Sequence, residues 1–525
     1  MARFISGNRP LSSDERIIIL HPHDNVAVLK QDMAAGAAIA APQGKILCAQ
    51  AIPRGHKLAL APIEAGAAVI KYDQIIGFAA EAIAPGAYVH DHNLTLGDFG
   101  RDFERDFGRD FPAAAPTSEG AETAQDGAET ARMFQGYRRA DGRAGTRNFI
   151  AVLSTVNCSA SVCRAIANAF AGPAMDDYAH VDGVVACTHD FGCQSHERLE
   201  RVLAGYALHA NVAGFVMVGL GCENTHVRGL REKYRLPEHD MARYLVIQEE
   251  GGTRKTVERG IAMVREMLER ANGCRREPIP AAELVLGLEC GGSDAYSGMT
   301  ANPALGRASD LLVGQGGTAV LSETPEIFGA EHLLTRRAAS PEIARQLMDH
   351  LAWWQDYAAK NGAGLNNNPS QGNKKGGLST ILEKSLGAVA KGGTAPLRAV
   401  YDYAEPVRAR GLCFMDSPGY DPASVTGMIA GGATMICFTT GRGSAFGSKP
   451  VPTLKIASNS RIYRHMAEDM DINAGMIMDG EADMDSLGAM IFEAVLAAAS
   501  GAPTLSERGG LGDEEFSPWH VGALM

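Results

Sequence analysis

From Phe149 onward, short apolar runs rich in β-branched residues alternate with longer segments whose apolar residues recur every three or four positions. The runs predict strands near 149–155, 182–187, 213–219, 244–248, 284–288, 317–322, 398–402, 411–415, 433–438 and 453–457. The longer segments predict helices near 160–171, 195–207, 254–271, 302–315, 341–359, 422–430 and 483–500. Strand and helix in regular alternation mean α/β architecture with largely parallel sheets. The basic stretch from Glu269 to Pro280 reads as a boundary, which gives two α/β domains at 133–275 and 280–525.

The N-terminal part has a different texture. Between residues 14 and 96, short runs such as Ile17-Ile-Ile-Leu, Val26-Ala-Val-Leu, Lys57-Leu-Ala-Leu and Val69-Ile-Lys-Tyr are separated by turn signals such as Pro53-Arg-Gly and Ala84-Pro-Gly. That pattern predicts a small β-rich domain. Next, Phe99, Phe103, Phe107 and Phe111 recur every four residues, but Gly100 and Gly108 interrupt the stripe, and an acidic low-complexity stretch follows. Residues 97–132 are therefore expected to be an acidic, partly disordered linker.

A chain of 525 residues is too long for one core, in keeping with several domains. The net charge of −12 argues against nucleic acid or an anionic membrane as a partner. The start, Met1-Ala-Arg-Phe-Ile-Ser-Gly-Asn-Arg-Pro, lacks a long apolar run, and no stretch reaches the roughly 20 apolar residues of a membrane span. A soluble, cytoplasmic protein is expected. Ten cysteines in a chain this long are not a secreted disulfide scaffold. No C-x-x-C pair is present, so a zinc ribbon is excluded. Neither a Walker loop nor a dinucleotide G-x-G-x-x-G follows a first strand, so ATP and NAD are unsupported.

Candidate chemistry gathers at strand ends. Cys158, Cys193, Cys222 and Cys290 each follow an apolar run, and the carboxyl ends of parallel strands form the ligand crevice of open α/β sheets. The four thiols are one possible ligand set, suited to an iron–sulfur cluster. The N-terminal histidines are another: His21 lies at a strand–turn junction, and His90 and His92 alternate so that both imidazoles share one side of a strand. Imidazoles suit a mononuclear divalent ion such as Fe2+ or Mn2+. Three glycine-rich blocks supply polar groups: Glu289-Cys-Gly-Gly-Ser-Asp, Pro369-Ser-Gln-Gly-Asn-Lys-Lys-Gly-Gly and Phe438-Thr-Thr-Gly-Arg-Gly-Ser. Lysine and backbone N–H groups can hold an anion there, and Arg442 can grip a carboxylate with two hydrogen bonds.

Ordered motifs across nearly the whole chain carry a resemblance. They are His21-Pro-His-Asp-Asn-Val-Ala-Val, Arg54-Gly-His-Lys and Val69-Ile-Lys-Tyr, then Tyr137-Arg-Arg-Ala-Asp-Gly-Arg-Ala-Gly-Thr-Arg-Asn, Gly219-Leu-Gly-Cys-Glu-Asn, Leu288-Glu-Cys-Gly-Gly-Ser-Asp, Ser297-Gly-Met-Thr-Ala-Asn-Pro, Asn368-Pro-Ser-Gln-Gly-Asn-Lys and Thr439-Thr-Gly-Arg-Gly. The chain resembles the altronate/galactarate dehydratases, sugar-acid hydro-lyases with an N-terminal SAF domain. Gly86-Ala-Tyr-Val-His-Asp-His-Asn and Glu323-Thr-Pro-Glu-Ile-Phe lean toward the altronate branch. The 97–132 stretch is longer than the family pattern, and Ser444-Ala-Phe-Gly stands where Thr-Pro-Tyr-Gly is expected.

The resemblance implies dehydration of a sugar acid to a 2-keto-3-deoxy acid with iron or manganese as activating metal. It makes His21, His56, Lys71 and His189 the catalytic candidates and Asn148, Ser293, Asp294, Asn373, Lys374 and Arg442 the substrate-binding ones. The metal ligands are expected to be His21, His90 and His92, or alternatively Cys158, Cys193, Cys222 and Cys290. The expected partner is a small-molecule sugar acid, with a homo-oligomer left open. A galactarate dehydratase, a sulfolactate-type lyase and a non-catalytic sugar-acid binding protein are the other readings.

Overall fold

The computed structural model of the chain describes residues 14–97, 131–194 and 196–522. The phenylalanine stripe and nearly all of the expected 97–132 linker lie outside the described residues. The rest is a β-rich N-terminal module followed by two α/β domains with parallel sheets. Among the described residues no helix is long and apolar enough to cross a membrane.

The N-terminal module contains β1 (Ile17–Ile18), β2 (Val26–Leu29), β3 (Ala38–Ala41), β4 (Gly44–Leu47), β5 (Lys57–Ala59), β6 (Ala68–Lys71), β7 (Gln74–Ala79), β8 (Tyr88–Val89) and β9 (Leu94–Thr95). They form antiparallel sheets in the orders β1-β2-β5-β8 and β6-β7-β9, with β3 and β4 as a separate hairpin. Ile17, Ala27, Leu29, Ile39 and Leu58 pack into a core of the module's own. Val26, Val28, Val69 and Ile76 instead join a core containing Leu286, Tyr296, Leu305 and Leu386. The alternation along β2 thus sends one side chain into the module and the next into the C-terminal domain, which docks the module there.

An antiparallel clasp brackets the second domain: β10 (Met133–Arg138) pairs with β11 (Ala144–Gly145) and with β16 (Glu277–Pro280). The basic boundary segment therefore ends in a short strand, whose Pro278 and Pro280 suit an edge position. Between the two sides of the clasp lies a parallel sheet of order β13-β12-β14-β15, built from β12 (Phe149–Ser154), β13 (Gly183–Cys187), β14 (Val212–Gly219) and β15 (Ala242–Val246). Helices α1 (Ala160–Asn168), α2 (Glu197–Ala207), α3 (Val227–Tyr234) and α4 (Thr253–Ala271) cover it. Ile150, Val152, Val216 and Val218 face α1 and α4, whereas Ala151, Leu153, Phe215 and Met217 face α2. Both faces are covered, so the strands read as continuous apolar runs.

The C-terminal domain holds a seven-stranded parallel sheet of order β19-β20-β18-β17-β21-β22-β23. Its strands are β17 (Val285–Cys290), β18 (Thr318–Leu321), β19 (Leu397–Tyr401), β20 (Gly411–Met415), β21 (Met435–Thr440), β22 (Thr453–Ala457) and β23 (Ile472–Asn473). Its main helices are α5 (Ala301–Gly314), α6 (Pro341–Lys360), α7 (Ile381–Val389), α8 (Asp421–Ala430) and α9 (Met484–Ala499). The two α/β domains share a core in which Leu199 and Val202 of α2 meet Met428 and Ile429 of α8. The approach is close because Gly205 has no side chain: a Cβ there would stand 2.3 Å from the Ala430 carbonyl oxygen. Gly205→Val should therefore force the two helices apart and cost about 1–3 kcal/mol. The lowered denaturation midpoint is expected in the common transition of both α/β domains, measured by chemical unfolding.

Candidate active site

The seam between the N-terminal module and the C-terminal domain is built on three buried charges. Lys57 on β5 and Lys71 at the end of β6 both reach the Glu383 carboxylate on α7, each at 2.8 Å. All three side chains are 0–1% exposed. Lys57 also donates to the Gly377 carbonyl at 2.8 Å, and the Ser379 N–H donates to Glu383 at 3.0 Å. Thr380 caps α7 and also bonds the Ile76 carbonyl of the module at 2.5 Å. Burial opposes the charge on Glu383, but the two lysines outweigh it and hold its pKa far below the carboxylate range. Burial likewise opposes charge on Lys71, and Glu383 more than compensates, so its pKa is raised. Lys57 goes the other way: burial lowers its pKa, and Lys71 adds like-charge repulsion that Glu383 does not fully offset. One carboxylate serves two ammonium groups, and Lys57 is the one whose charge is less favoured.

Beside this triad the module presents its polar rings. Tyr88 donates to Nδ1 of His56 at 2.6 Å, and Nε2 of His56 donates to the Lys375 carbonyl at 3.3 Å. The carbonyl can only accept, which fixes the neutral Nε2–H tautomer. Burial, helped by Lys57, lowers the His56 pKa and keeps the ring uncharged. His90 stacks on Tyr88 and packs edge-on against His56. Burial and Lys57 push its pKa down to about 4. Asp91, in the same turn, lies 3.4 Å from the Lys374 ammonium. The glycine-rich Pro369–Gly377 block and the histidines of the module thus meet across the seam.

Deeper in the C-terminal domain lies a second buried charged cluster. At the end of β17, Cys290 faces Lys391 at 2.9 Å and Glu326 at 3.7 Å. Lys384 on α7 pairs with Glu326, and Asn368 donates to the same carboxylate at 2.7 Å. Burial disfavours charge on Glu326, but Lys384 and Lys391 outweigh it and lower its pKa. Glu289, Glu323 and Asp421 form a carboxylate group whose ligating oxygens all lie within 4.8 Å of one another. Ser424 donates to Glu289 at 2.6 Å, yet neither carboxylate oxygen of the fully buried Glu323 has a hydrogen-bond partner. Burial, then Glu289 and Glu326, raise the Asp421 pKa to about 7. Three crowded carboxylates with unpartnered oxygens fit a divalent ion with a preference for oxygen, such as Fe2+ or Mn2+.

Glu383 of the first cluster and Lys384 of the second border one small cavity, lined also by Tyr72, Ser293, Asp294 and Asn302. Asp294 is fastened by Ser297, Ser458 and Asn459, and burial raises its pKa. Gly441 must be glycine because a Cβ would come within 2.3 Å of the Asp294 carboxylate. Gly441 and Arg442 donate their N–H groups to the Gly292 carbonyl, and Asn373 donates to the Ser293 carbonyl at 2.9 Å. Ser293, Asp294, Asn373, Lys374 and Arg442 therefore sit on neighbouring turns, with the Arg442 side chain exposed.

Other predicted residues lie elsewhere. Asn148 is fully buried and spends its amide on the His180 and Ala271 carbonyls and on Arg139, so it braces the second domain. His189 is at the end of β13, where Nε2 donates to the Ser154 carbonyl at 2.8 Å and Nδ1 accepts from the Phe191 N–H. Burial pushes its pKa down to about 4, and both ring nitrogens serve the backbone. His21 does not join His90 and His92 in a metal set; its neighbours are His23 and Asp73 on the module surface. His90 is held by His56 and Tyr88, and His92 is exposed against Tyr88. The exposed Asp73 is already bonded by His23 at 2.8 Å, unlike the unpartnered Glu323. Cys290 likewise parts company with Cys158, Cys193 and Cys222: it is buried, and the other three are exposed.

Sequence reasoning passed over Lys57, Glu323, Glu326, Glu383, Lys384, Lys391 and Asp421 as site residues. Helix α7 supplies two of them and shows no amphipathic stripe, because all nine of its residues are buried. The available signal was charge inside an otherwise apolar segment, since Glu and Lys are almost never fully buried unless paired.

Comparison with known proteins agrees with this architecture. Residues 15–97 match the altronate/galactarate dehydratase SAF domain, 136–272 the second domain of D-galactarate dehydratase/altronate hydrolase, and 281–524 the D-galactarate/altronate dehydratase C-terminal domain. The matched domains thus define a hydro-lyase that removes water from a sugar acid. The chain is 35% identical to altronate dehydratase of Bacillus subtilis, across 88% of this chain and 91% of the relative. It is 35% identical to altronate dehydratase of Escherichia coli, across 94% and 96%. It is also 35% identical to galactarate dehydratase (L-threo-forming) of Escherichia coli, across 94% and 95%. The chain belongs to the altronate/galactarate dehydratase family.

Two outcomes follow from the buried charges. Glu383→Gln leaves two ammonium groups without a counter-charge and should cost about 3–5 kcal/mol, with the N-terminal module cleaved faster in limited proteolysis. Asp421 has an ordinary pKa of 3.8 and a folded value of about 7, so the metal-free fold binds its proton more tightly than the unfolded chain. The metal-free protein should lose stability as pH rises from about 4 to about 7. A bound ferrous or manganous ion should reverse that loss, and its affinity should climb over the same range as Asp421 gives up its proton. Thermal melts and metal titrations at several pH values measure both.

Proposed function

We propose that the chain dehydrates a six-carbon aldonate, D-altronate, to 2-dehydro-3-deoxy-D-gluconate. The observation that carries this reading is the pairing of Lys374 with Asp91 beside two uncharged imidazoles. That end of the site offers neutral hydrogen-bonding groups and a cation already matched by a carboxylate. Such surroundings suit the hydroxyl end of an aldonate better than the second carboxylate of galactarate. Arg442, on its exposed glycine-rich turn, supplies the planar fork for the single carboxylate.

The C2 proton is weakly acidic and the C3 hydroxyl is a poor leaving group. Glu289, Glu323 and Asp421 would hold a ferrous or manganous ion, whose charge would offset the negative charge that develops on the substrate. The chain's own groups bind and move protons. Neutral His56 can take a proton at Nδ1, and Tyr88, bonded to that nitrogen, can pass one to the departing C3 hydroxyl. Lys57 and Lys71 keep the region positive, which favours the anionic substrate. The enol that remains after loss of water tautomerises to the 2-keto acid.

Assay of the metal-loaded protein with altronate and galactarate tests the substrate. Turnover of galactarate with none of altronate moves the enzyme to the other branch, which equal identity to the galactarate relative keeps in view. Tyr88→Phe and His56→Ala should each lower kcat by roughly 10²–10⁴-fold, the span of general acid–base catalysis. Arg442→Lys keeps the charge but loses the fork, so KM should rise markedly; wild-type kinetics in that variant would remove Arg442 from the site.

A further inference from the structure

The second domain carries a separate constellation. Of the ten cysteines, Cys158, Cys193 and Cys222 are the three exposed ones. They follow β12, β13 and β14, which are adjacent in the sheet and parallel, so the three thiols leave from the same end. Their loops are clamped together. Asn157, next to Cys158, donates its N–H to the Phe191 carbonyl at 2.8 Å and its side-chain amide to the His189 carbonyl at 3.0 Å. Asn224, two residues past Cys222, donates its N–H to the Cys193 carbonyl at 2.8 Å. Glu223 staples its own turn, accepting from the Leu220 and Gly221 N–H groups and from Thr155 at 2.8 Å. The Cys193 thiol has the Cys222 and Cys158 thiols as neighbours.

Three exposed free thiols on one surface are a liability unless they bind something. One tetrahedral ion would draw thiolates to about 3.8 Å from one another at metal–sulfur bonds near 2.3 Å. Among the described residues, no group of three cysteines has all its sulfurs within 4.8 Å. The three thiols are thus not gathered to the reach of one small ion, and a larger inorganic body would bridge the three loops.

We propose that Cys158, Cys193 and Cys222 hold a [4Fe–4S] cluster and leave one iron without a protein ligand, facing solvent. Cys290 takes no part, because Lys391 and Glu326 engage its thiol inside the C-terminal domain. Binding is ligand exchange: three thiol protons leave as three iron–thiolate bonds replace bonds to small thiols on the incoming cluster, and no electron is transferred. The open iron would accept an oxygen ligand, a hydroxyl or carboxylate of a small hydroxy acid. This inference rests on the second domain alone and stands apart from the choice of sugar acid.

The full-length protein, purified without oxygen or reconstituted with ferrous and ferric ions and sulfide, should be brown. It should carry about four irons and four acid-labile sulfides per chain, with broad visible absorption. Cys158→Ser, Cys193→Ser and Cys222→Ser should each lose most of that iron and absorption, while Cys274→Ser keeps both. Circular dichroism and melting temperature separate loss of cluster from loss of fold. A protein that stays colourless after reconstitution, one that binds a single zinc at the three thiols, or absorption that survives all three substitutions overturns the proposal.

Discussion

Glu383 is the charge on which the arrangement of this chain depends. A carboxylate buried among apolar side chains is costly unless it is matched, and here two ammonium groups from another part of the chain match it. Lys57 and Lys71 lie 326 and 312 residues away in sequence. Neither partner tolerates the apolar seam without the other, so the ion triad makes docking of the N-terminal module specific as well as close. The same α7 turn carries Lys384, which balances Glu326 in the neighbouring cluster. One short helix therefore sets the charge on both sides of the cavity.

The two clusters differ in the sign of their excess charge. On the module side, lysines outnumber carboxylates, and His56 and His90 are held neutral beside them. On the side of β17 and β18, carboxylates crowd together and Glu323 has no donor at all. Such an imbalance is costly in a buried setting unless something offsets it.

Much of the architecture was legible from the chain, for definable reasons. The strands of both parallel sheets announce themselves as apolar runs because both faces are covered. Placing Cys158, Cys193 and Cys222 at one sheet end needed only that periodicity. Cys290 obeys the same rule, yet its surroundings come from Glu326 and Lys391, 36 and 101 residues further on, and no local pattern encodes them. Helix α7 was invisible because a helix buried all round has no polar face to reveal its period. The β3–β4 hairpin escaped because alanine dominates β3 and Gly44 opens β4, and both residues are depleted in strands. Asp421 looked like an ordinary acidic residue in the first turn of a helix, and only the proximity of Glu289 and Glu323 distinguishes it.

The close approach of Gly205 to Ala430 has a consequence for synthesis. The second domain emerges from the ribosome with the apolar face of α2 finished, but the surface that covers it is not made until the chain reaches Ala430. At about 5–20 residues per second that interval is on the order of ten to forty seconds. Through it, Leu199, Val202 and their neighbours have no native partner on that side. The shared core that later joins both α/β domains thus asks the nascent chain to remain soluble with half of an interface showing, a task suited to a chaperone.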